Sequence, residues 1–280
     1  MHHYIAIQTD FGTADGRAAK LIGTIKRVDQ TLDVCFNENK CPRGDVMIAG
    51  TFLHNSLAFF PKGTVYVSII ESGTLDSVPC AALTHDDQII LTPNNGTLTI
   101  WTDNYGLKAL RRLDTAAVPK GMDAYAYFAA RLANGTLSYE ELGQECAITD
   151  VKRFSVRAST ISKGFAKGGV LSVLENFGNL NLTVSIAEFE NTGIRFGDYV
   201  QVTLERDGIT AFNCTIPYDR SFGYAELGTP ILFNGSTGYI GLGLNQESFA
   251  NKYMKDRYDH PEGIAGYNVT IGKITEGVIV

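Results

Sequence analysis

Residues 59–74 read FFPKGTVYVSIIESGT. Their centre, Thr64 to Ile70, is a run of β-branched and aromatic residues that reads as a buried strand. The run ends on Glu71, followed by Ser72, Gly73 and Thr74. A carboxylate and three small residues in that place fit a solvated strand end. They equally fit a ligand site at the carboxyl edge of a sheet.

Strand and helix patterns alternate around this stretch. Tyr4 to Gln8 predicts a strand, and GRAAKLIGTIKRV, Gly16 to Val28, places Leu21, Ile22, Ile25 and Val28 on one helical face. A short apolar strand follows at Leu32 to Phe36. Asp45 to Phe60 predicts a helix with Asp45 near its N-cap. Gln88 to Leu91 reads as another strand, leading into TPNNGTLTIW. Met122 to about Ala133 reads as a helix stopped by Asn134-Gly135. This alternation predicts an α/β N-terminal domain, residues 1–150, with a mainly parallel sheet. From about Val156 the character changes to short β-rich segments separated by Gly, Asn and Asp, such as GGVLSVLENFGN and DYVQVTLERDG. They predict a smaller all-β, barrel-like C-terminal domain over residues 156–280.

Composition narrows the function classes. The chain has 280 residues, 44% hydrophobic and 19% charged, with a formal net charge of -6, which is ordinary globular material. No concentrated Lys/Arg surface is evident, so nucleic acid is not an expected partner. No apolar run approaches the roughly 20 residues that span a bilayer. MHHYIAIQTDFG lacks the pattern of a secretory leader, and the five cysteines are odd in number and scattered. Together these predict a cytoplasmic protein with reduced thiols. The five histidines form no HExxH and no Cys/His set at zinc spacing, so no metal is expected. Gly241-Leu-Gly243 completes no dinucleotide fingerprint, and GxSxG and P-loop motifs are absent.

In an open α/β sheet, ligands bind beyond the carboxyl ends of the strands. Asp10, closing YIAIQTDFG, and Glu71 fall there. Asp15 sits where it could cap the first helix, and turn or cap chemistry accounts for Asp10 and Asp15 as well as ligand binding does. ENFGNL, Glu175 to Leu180, reads as a turn bearing Phe177 and two amides.

Five segments occur in order: TDFGTADG, FFPKGTVYVSIIESGT, LTPNNGTLT, ENFGNLNLTV and NGSTGYIGLGLN. Together they resemble the S-adenosylmethionine hydroxide adenosyltransferases, or S-adenosylmethionine hydrolases, whose superfamily includes the 5'-halogenating fluorinase and chlorinase. The resemblance runs from Thr9 to about Asn245. It implies a homotrimer whose small nucleoside ligand lies between the N-terminal domain of one subunit and the C-terminal domain of its neighbour. The implied reaction is attack of water on ribose C5' of S-adenosylmethionine, releasing adenosine and methionine. S-adenosylmethionine is then substrate, and no cofactor is implied. By the same resemblance, Asp10 matches the aspartate that holds the ribose hydroxyls, and Asn179 matches the amide of the FGN turn. Glu175 stands where an acid meets the methionine ammonium. Phe177 and Phe222 occupy aromatic positions beside the ligand, and Ser236 matches a serine for the methionine carboxylate. Asp15 and Thr74 complete the binding set.

The chain departs from the hydrolase pattern where water is readied. The hydrolases carry an Asp at the strand end, an Arg several residues later and a His further on. Here the strand ends on Glu71, LDSVPCAAL contains no Arg, and Lys120 falls where the His belongs. A Glu71–Lys120 pair, with Glu71 accepting the water's proton, is the expected substitute; a plain ion pair without catalysis fits as well. The halogenases have Tyr at the Glu71 position, and a carboxylate there repels a halide. The two expectations are therefore a hydrolase and a degenerate, inactive member that holds adenosine or S-adenosylmethionine.

Overall fold

The computed structural model describes residues 4–71, 77–154, 157–257, 259 and 263–274. The chain divides into two compact units, Met1–Phe154 and Ser155–Val280.

In the first unit the order is β1 (Ile5–Thr9), α1 (Arg17–Val28), β2 (Val34–Glu38), α2 (Val46–Leu57), β3 (Val65–Ile69), β4 (Pro79–Leu83), β5 (Ile89–Pro93), α3 (Thr99–Tyr105), β6 (Ala109–Arg112), α4 (Ala124–Ala133) and β7 (Glu145–Cys146). The sheet order is β2-β1-β3-β5-β4-β6-β7. β2, β1, β3 and β5 pair in parallel, whereas β5–β4, β4–β6 and β6–β7 pair antiparallel. All strands except β4 and β7 therefore run the same way. Alternation along β1 and β3 supplies two cores, one on each face. Ile5, Ile7, Val65, Val67 and Ile69 pack with Leu21 and Ile25 of α1 and Phe128 and Leu132 of α4. Ala6 and Tyr66 pack on the other side with Leu53 and Leu57 of α2 and Trp101 of α3.

β4, α3, β6 and β7 were not legible as elements. PCAAL opens on proline and consists mostly of small residues, ALRR has four residues, and β7 has two. α3 follows the amide-rich turn of TPNNG, where Asn95 Oδ1 accepts from the Thr97 N–H at 3.2 Å. The predicted strand at Leu32 to Phe36 lies two residues later, at Val34–Glu38, because Leu32 is buried in the core but not in the ladder.

The second unit holds β8 (Thr160–Ser162), β9 (Phe165–Leu174), β10 (Asn179–Ser185), α5 (Ile186–Glu190), β11 (Tyr199–Arg206), β12 (Ile209–Asp219), β13 (Pro230–Asn234), β14 (Tyr239–Leu244), α6 (Phe249–Tyr253) and β15 (Asn268–Lys273). The order β10-β14-β13-β12-β11-β15-β9 closes through a β9–β10 pairing, so seven strands form a barrel and β8 hangs on β9. Leu171, Leu180, Leu182, Leu204, Ile216, Leu242 and Ile271 are buried in this unit. β12 and β13 pair in parallel, the one such pair among the described strands of this unit. Among the described residues, no helix is long and apolar enough to cross a membrane.

Asp45 caps α2, its Oδ1 accepting from the N–H groups of Met47 at 3.1 Å and Ile48 at 2.9 Å. Burial nonetheless raises its carboxyl pKa by more than the two donors lower it. A carboxyl raised in the folded state stabilises the fold when protonated. That contribution is lost as pH climbs through the folded value. Asp45→Asn keeps an acceptor of equal capping quality without the charge. Urea unfolding is expected to show the variant gaining on the parent protein as pH rises above the ordinary carboxyl range. A gap that is flat with pH, or that narrows as pH rises, contradicts the assignment.

Candidate functional site

The carboxyl ends of β1 and β3 are placed by a buried polar network. Gln8 is fully buried; its Nε2 donates to the Ala49 carbonyl at 2.9 Å and to Ser68 Oγ at 3.2 Å, and its Oε1 accepts from the Tyr66 hydroxyl at 2.8 Å. Tyr66 in turn accepts from Asn37 Nδ2 at 2.6 Å, and burial pushes its phenol pKa up. These bonds lie within the parallel register Gln8↔Ser68 and Thr9↔Ile69. The residue after β1 is Asp10, and two beyond Ile69 is Glu71.

Asp10 Oδ2 accepts from two backbone N–H groups, Gly44 at 2.8 Å and Glu71 at 3.1 Å. Its Oδ1 is buried and has no hydrogen-bond partner among the described residues. Oriented by backbone, with one oxygen unsatisfied, this carboxylate is built to accept from a ligand hydroxyl. Gly44 takes a left-handed φ of 71°, which turns its N–H inward from the loop before α2.

Around Asp10 the structure departs from the expected pairing. The Glu71 carboxylate meets Arg17, with Arg17 Nη1 2.8 Å from Glu71 Oε1. Arg17 is the first residue of α1, which begins close to the strand ends. Lys120 is exposed in the turn before α4 and takes part in no ion pair among the described residues. The expected Glu71–Lys120 pair is thus replaced by Glu71–Arg17. The N-cap of α1 is Gly16, with no side-chain cap, so Asp15 lies one residue outside the helix; its Oδ1 accepts from the Arg17 N–H at 3.1 Å and its Oδ2 meets Arg17 Nε at 2.7 Å. Those bonds, the backbone one first, hold the Asp15 carboxyl below its usual range. Arg17 also lies over the Phe11 ring, 4.4 Å from its centroid. Composition and spacing did not single out Arg17 or Phe11. The signal available was Asp15-Gly-Arg17 within one turn of a strand end. Thr74 lies outside the described residues.

In the second unit, the β9–β10 turn brings three of the expected residues together. Phe177, Asn179 and Phe222, with Asn176, Leu244, Gln246, Glu247 and Ser248, line a cavity of about 280 Å³. Phe177 is 63% exposed and Phe222 38%, whereas Asn179 is 4% exposed. Asn179 Oδ1 is buried without a hydrogen-bond partner among the described residues. Two partly open aromatic faces beside an unsatisfied amide oxygen suit a flat ring with an N–H edge. Glycines are needed on both sides. A Cβ on Gly243 would lie 2.1 Å from Asn179 Oδ1, and one on Gly178 would lie 1.9 Å from Ser248 Oγ.

Two other expected residues lie outside that lining. Ser236 is exposed in the β13–β14 turn, next to Thr237, whose Oγ1 donates to Asn181 Oδ1 at 3.2 Å. The Glu175 carboxylate is gripped by Arg257, which donates from Nη2 at 2.8 Å and Nε at 3.3 Å. Arg257 also donates to the Met254 carbonyl at 3.2 Å and to Asn251 Oδ1 at 3.0 Å. An ammonium reaching Glu175 would have to share it with that guanidinium. Among the described residues, no group of three or more His, Cys, Asp or Glu side chains could hold a metal ion.

The chain matches two family models, the SAM hydroxide adenosyltransferase N-terminal domain over residues 5–143 and its C-terminal domain over residues 169–260. It is 24% identical to a fluorinase of Actinoplanes sp. (strain N902-109), covering 96% of this chain and 97% of that protein. It is 25% identical to the (R)-S-adenosyl-L-methionine hydrolase of Thermus thermophilus, covering 86% of this chain and 91% of the hydrolase. An uncharacterized conserved protein of Thermotoga maritima has a similar structure, with a TM-score of 0.81 at 21% identity, covering 96% of this chain and 99% of that one. With both units matched in order, the chain belongs to the SAM hydroxide adenosyltransferase family.

Proposed function

We propose that this protein cleaves S-adenosylmethionine at ribose C5' with water as nucleophile, giving adenosine and methionine. The observation that carries this reading is Asp10, fixed by two backbone N–H groups and left with one buried oxygen that has no partner among the described residues, free for a ribose hydroxyl. Asn179, with Phe177 and Phe222, supplies a second unsatisfied acceptor beside aromatic faces for the purine.

In the step, the water oxygen bonds to C5' as the C5'–S bond breaks. The electron pair goes to sulfur, which leaves as a neutral thioether. The water's proton passes to the Glu71 carboxylate and then to solvent. A sulfonium already leaves well, so the protein's part is to position the water and exclude others. Fluorinases and hydrolases both match this chain. The carboxylate at Glu71 favours water over a halide, since it repels an anion. The resemblance implies a homotrimer with the site at subunit interfaces, and it adds Asp15, Thr74, Glu175 and Ser236 to the binding set. A second reading, a member that holds the nucleoside without turnover, is favoured by one observation: Lys120 stands unpaired with Glu71.

Incubation with S-adenosylmethionine is expected to yield adenosine and methionine in equal amounts, with no 5'-chloro-5'-deoxyadenosine in chloride buffer. Adenosine binding without product selects the second reading. Glu71→Gln should lower kcat by about 10²-fold or more, as loss of a general base does; Lys120→Ala tests whether that lysine contributes at all. Asp10→Ala should weaken adenosine by about 1–3 kcal/mol in calorimetry, the cost of losing hydrogen bonds to a charged group. Gly243→Ala should displace the Asn179 amide and destabilise the barrel by about 1–3 kcal/mol in urea unfolding. Adding Asn179→Ala should recover part of that loss, and an additive double variant would show that the two do not collide.

A further inference from the structure

We propose that Arg17 is the positioning residue for Glu71, supplying from the start of α1 the guanidinium that the segment after β3 lacks. The inference deepens the hydrolytic reading and rests on it for its catalytic consequence, although the clamp itself does not. Arg17 reaches three partners at once: Asp15 through Nε at 2.7 Å, Glu71 through Nη1 at 2.8 Å, and the face of Phe11 at 4.4 Å. Asp15 grips the Arg17 backbone N–H as well, at 3.1 Å, so a single carboxylate sets both ends of that side chain. Glu71 is likewise fixed at both ends, with its backbone N–H on Asp10 and its carboxylate on Arg17.

Stability does not explain this arrangement. The Arg17 and Glu71 side chains are 44% and 48% exposed, and ion pairs at that exposure contribute little to folding. What the arrangement does accomplish is restriction. Arginine presents a flat fork whose donors are fixed relative to one another, so Nε on Asp15 and a ring beneath it leave Nη1 one direction. A Glu is a longer and looser side chain than the Asp of the hydrolase pattern. A fork anchored elsewhere is what holds such a carboxylate at one point beside the residue that grips the ribose. Lysine lacks a second donor group in fixed relation to the first, so it cannot reproduce the geometry.

The test compares the parent protein with Arg17→Ala, Arg17→Lys, Glu71→Gln and the Arg17→Ala/Glu71→Gln double variant. Adenosine release from S-adenosylmethionine, adenosine affinity by calorimetry, and melting temperature are measured for each. Arg17→Ala is expected to lower kcat by about a hundredfold, the loss that misplacing a reacting group brings. Adenosine affinity should stay within about a factor of two, because the residue acts on kcat and not on ground-state binding. Arg17→Lys should recover little, and the double variant should fall no further than Glu71→Gln alone. Unchanged turnover in Arg17→Ala, or a double variant showing the product of both losses, overturns the proposal. If the parent protein releases no adenosine, the hydrolytic reading fails by itself. The clamp is then judged by the carboxyl carbon resonance of Glu71 in 13C NMR. A resonance that moves on Arg17→Ala while that of Asp86 stays put sustains the clamp, and an unmoved Glu71 resonance overturns it.

Discussion

The carboxylate of Asp10 ties together three separate pieces of chain. One of its oxygens takes N–H groups from Gly44, in the loop before α2, and from Glu71, just past β3, while Asp10 itself follows β1. That junction holds only if β1 and β3 stay in register, and the register is secured one step inward by Gln8, Ser68 and Tyr66. A buried amide and phenol carry a heavy desolvation cost unless every group finds its partner. Here they do, so the network tolerates one alignment of the two strands and few others. The position of Glu71 follows from the same alignment.

Among the described residues, the buried oxygens with nothing to accept are Asn39 Oδ1 and, at the two candidate positions, Asp10 Oδ1 in the first unit and Asn179 Oδ1 in the second. Native interiors rarely leave such atoms unmatched. In both places the surroundings forbid an easy rescue. Asp10 is held by backbone, and the Asn179 amide is wedged against Gly243, where even a methyl group would not fit. These groups are arranged in advance of whatever satisfies them, which is how a site keeps its reorganisation cost low on binding.

Much of the fold was legible in the chain, because the strand-like runs at Tyr4 to Gln8 and Thr64 to Ile70 and the one-sided helix of Leu21 and Ile25 carry their own pattern. What escaped notice was short or small-residued: PCAAL, ALRR and the helix after TPNNG. Asp10 at its strand end and the FGN turn were identifiable from local motif. The partner of Glu71 was not. Arg17 is far from Glu71 in sequence and meets it only because α1 starts where β3 ends. Glu175 shows the converse. Its motif points to a ligand, yet its partner Arg257 comes from 82 residues away, a contact that spacing cannot reveal.

The parallel pairing of β12 with β13 has a bearing on how such a protein can diversify. Parallel neighbours cannot be joined by a tight hairpin, so the chain must travel back from Asp219 to Pro230 before pairing again. That return path carries Phe222 to the mouth of the cavity. It lies outside the ladder and can lengthen, shorten or change its aromatic residue without disturbing a strand pairing. Selection can therefore rewrite the lining of this cavity while leaving the scaffold's inheritance untouched.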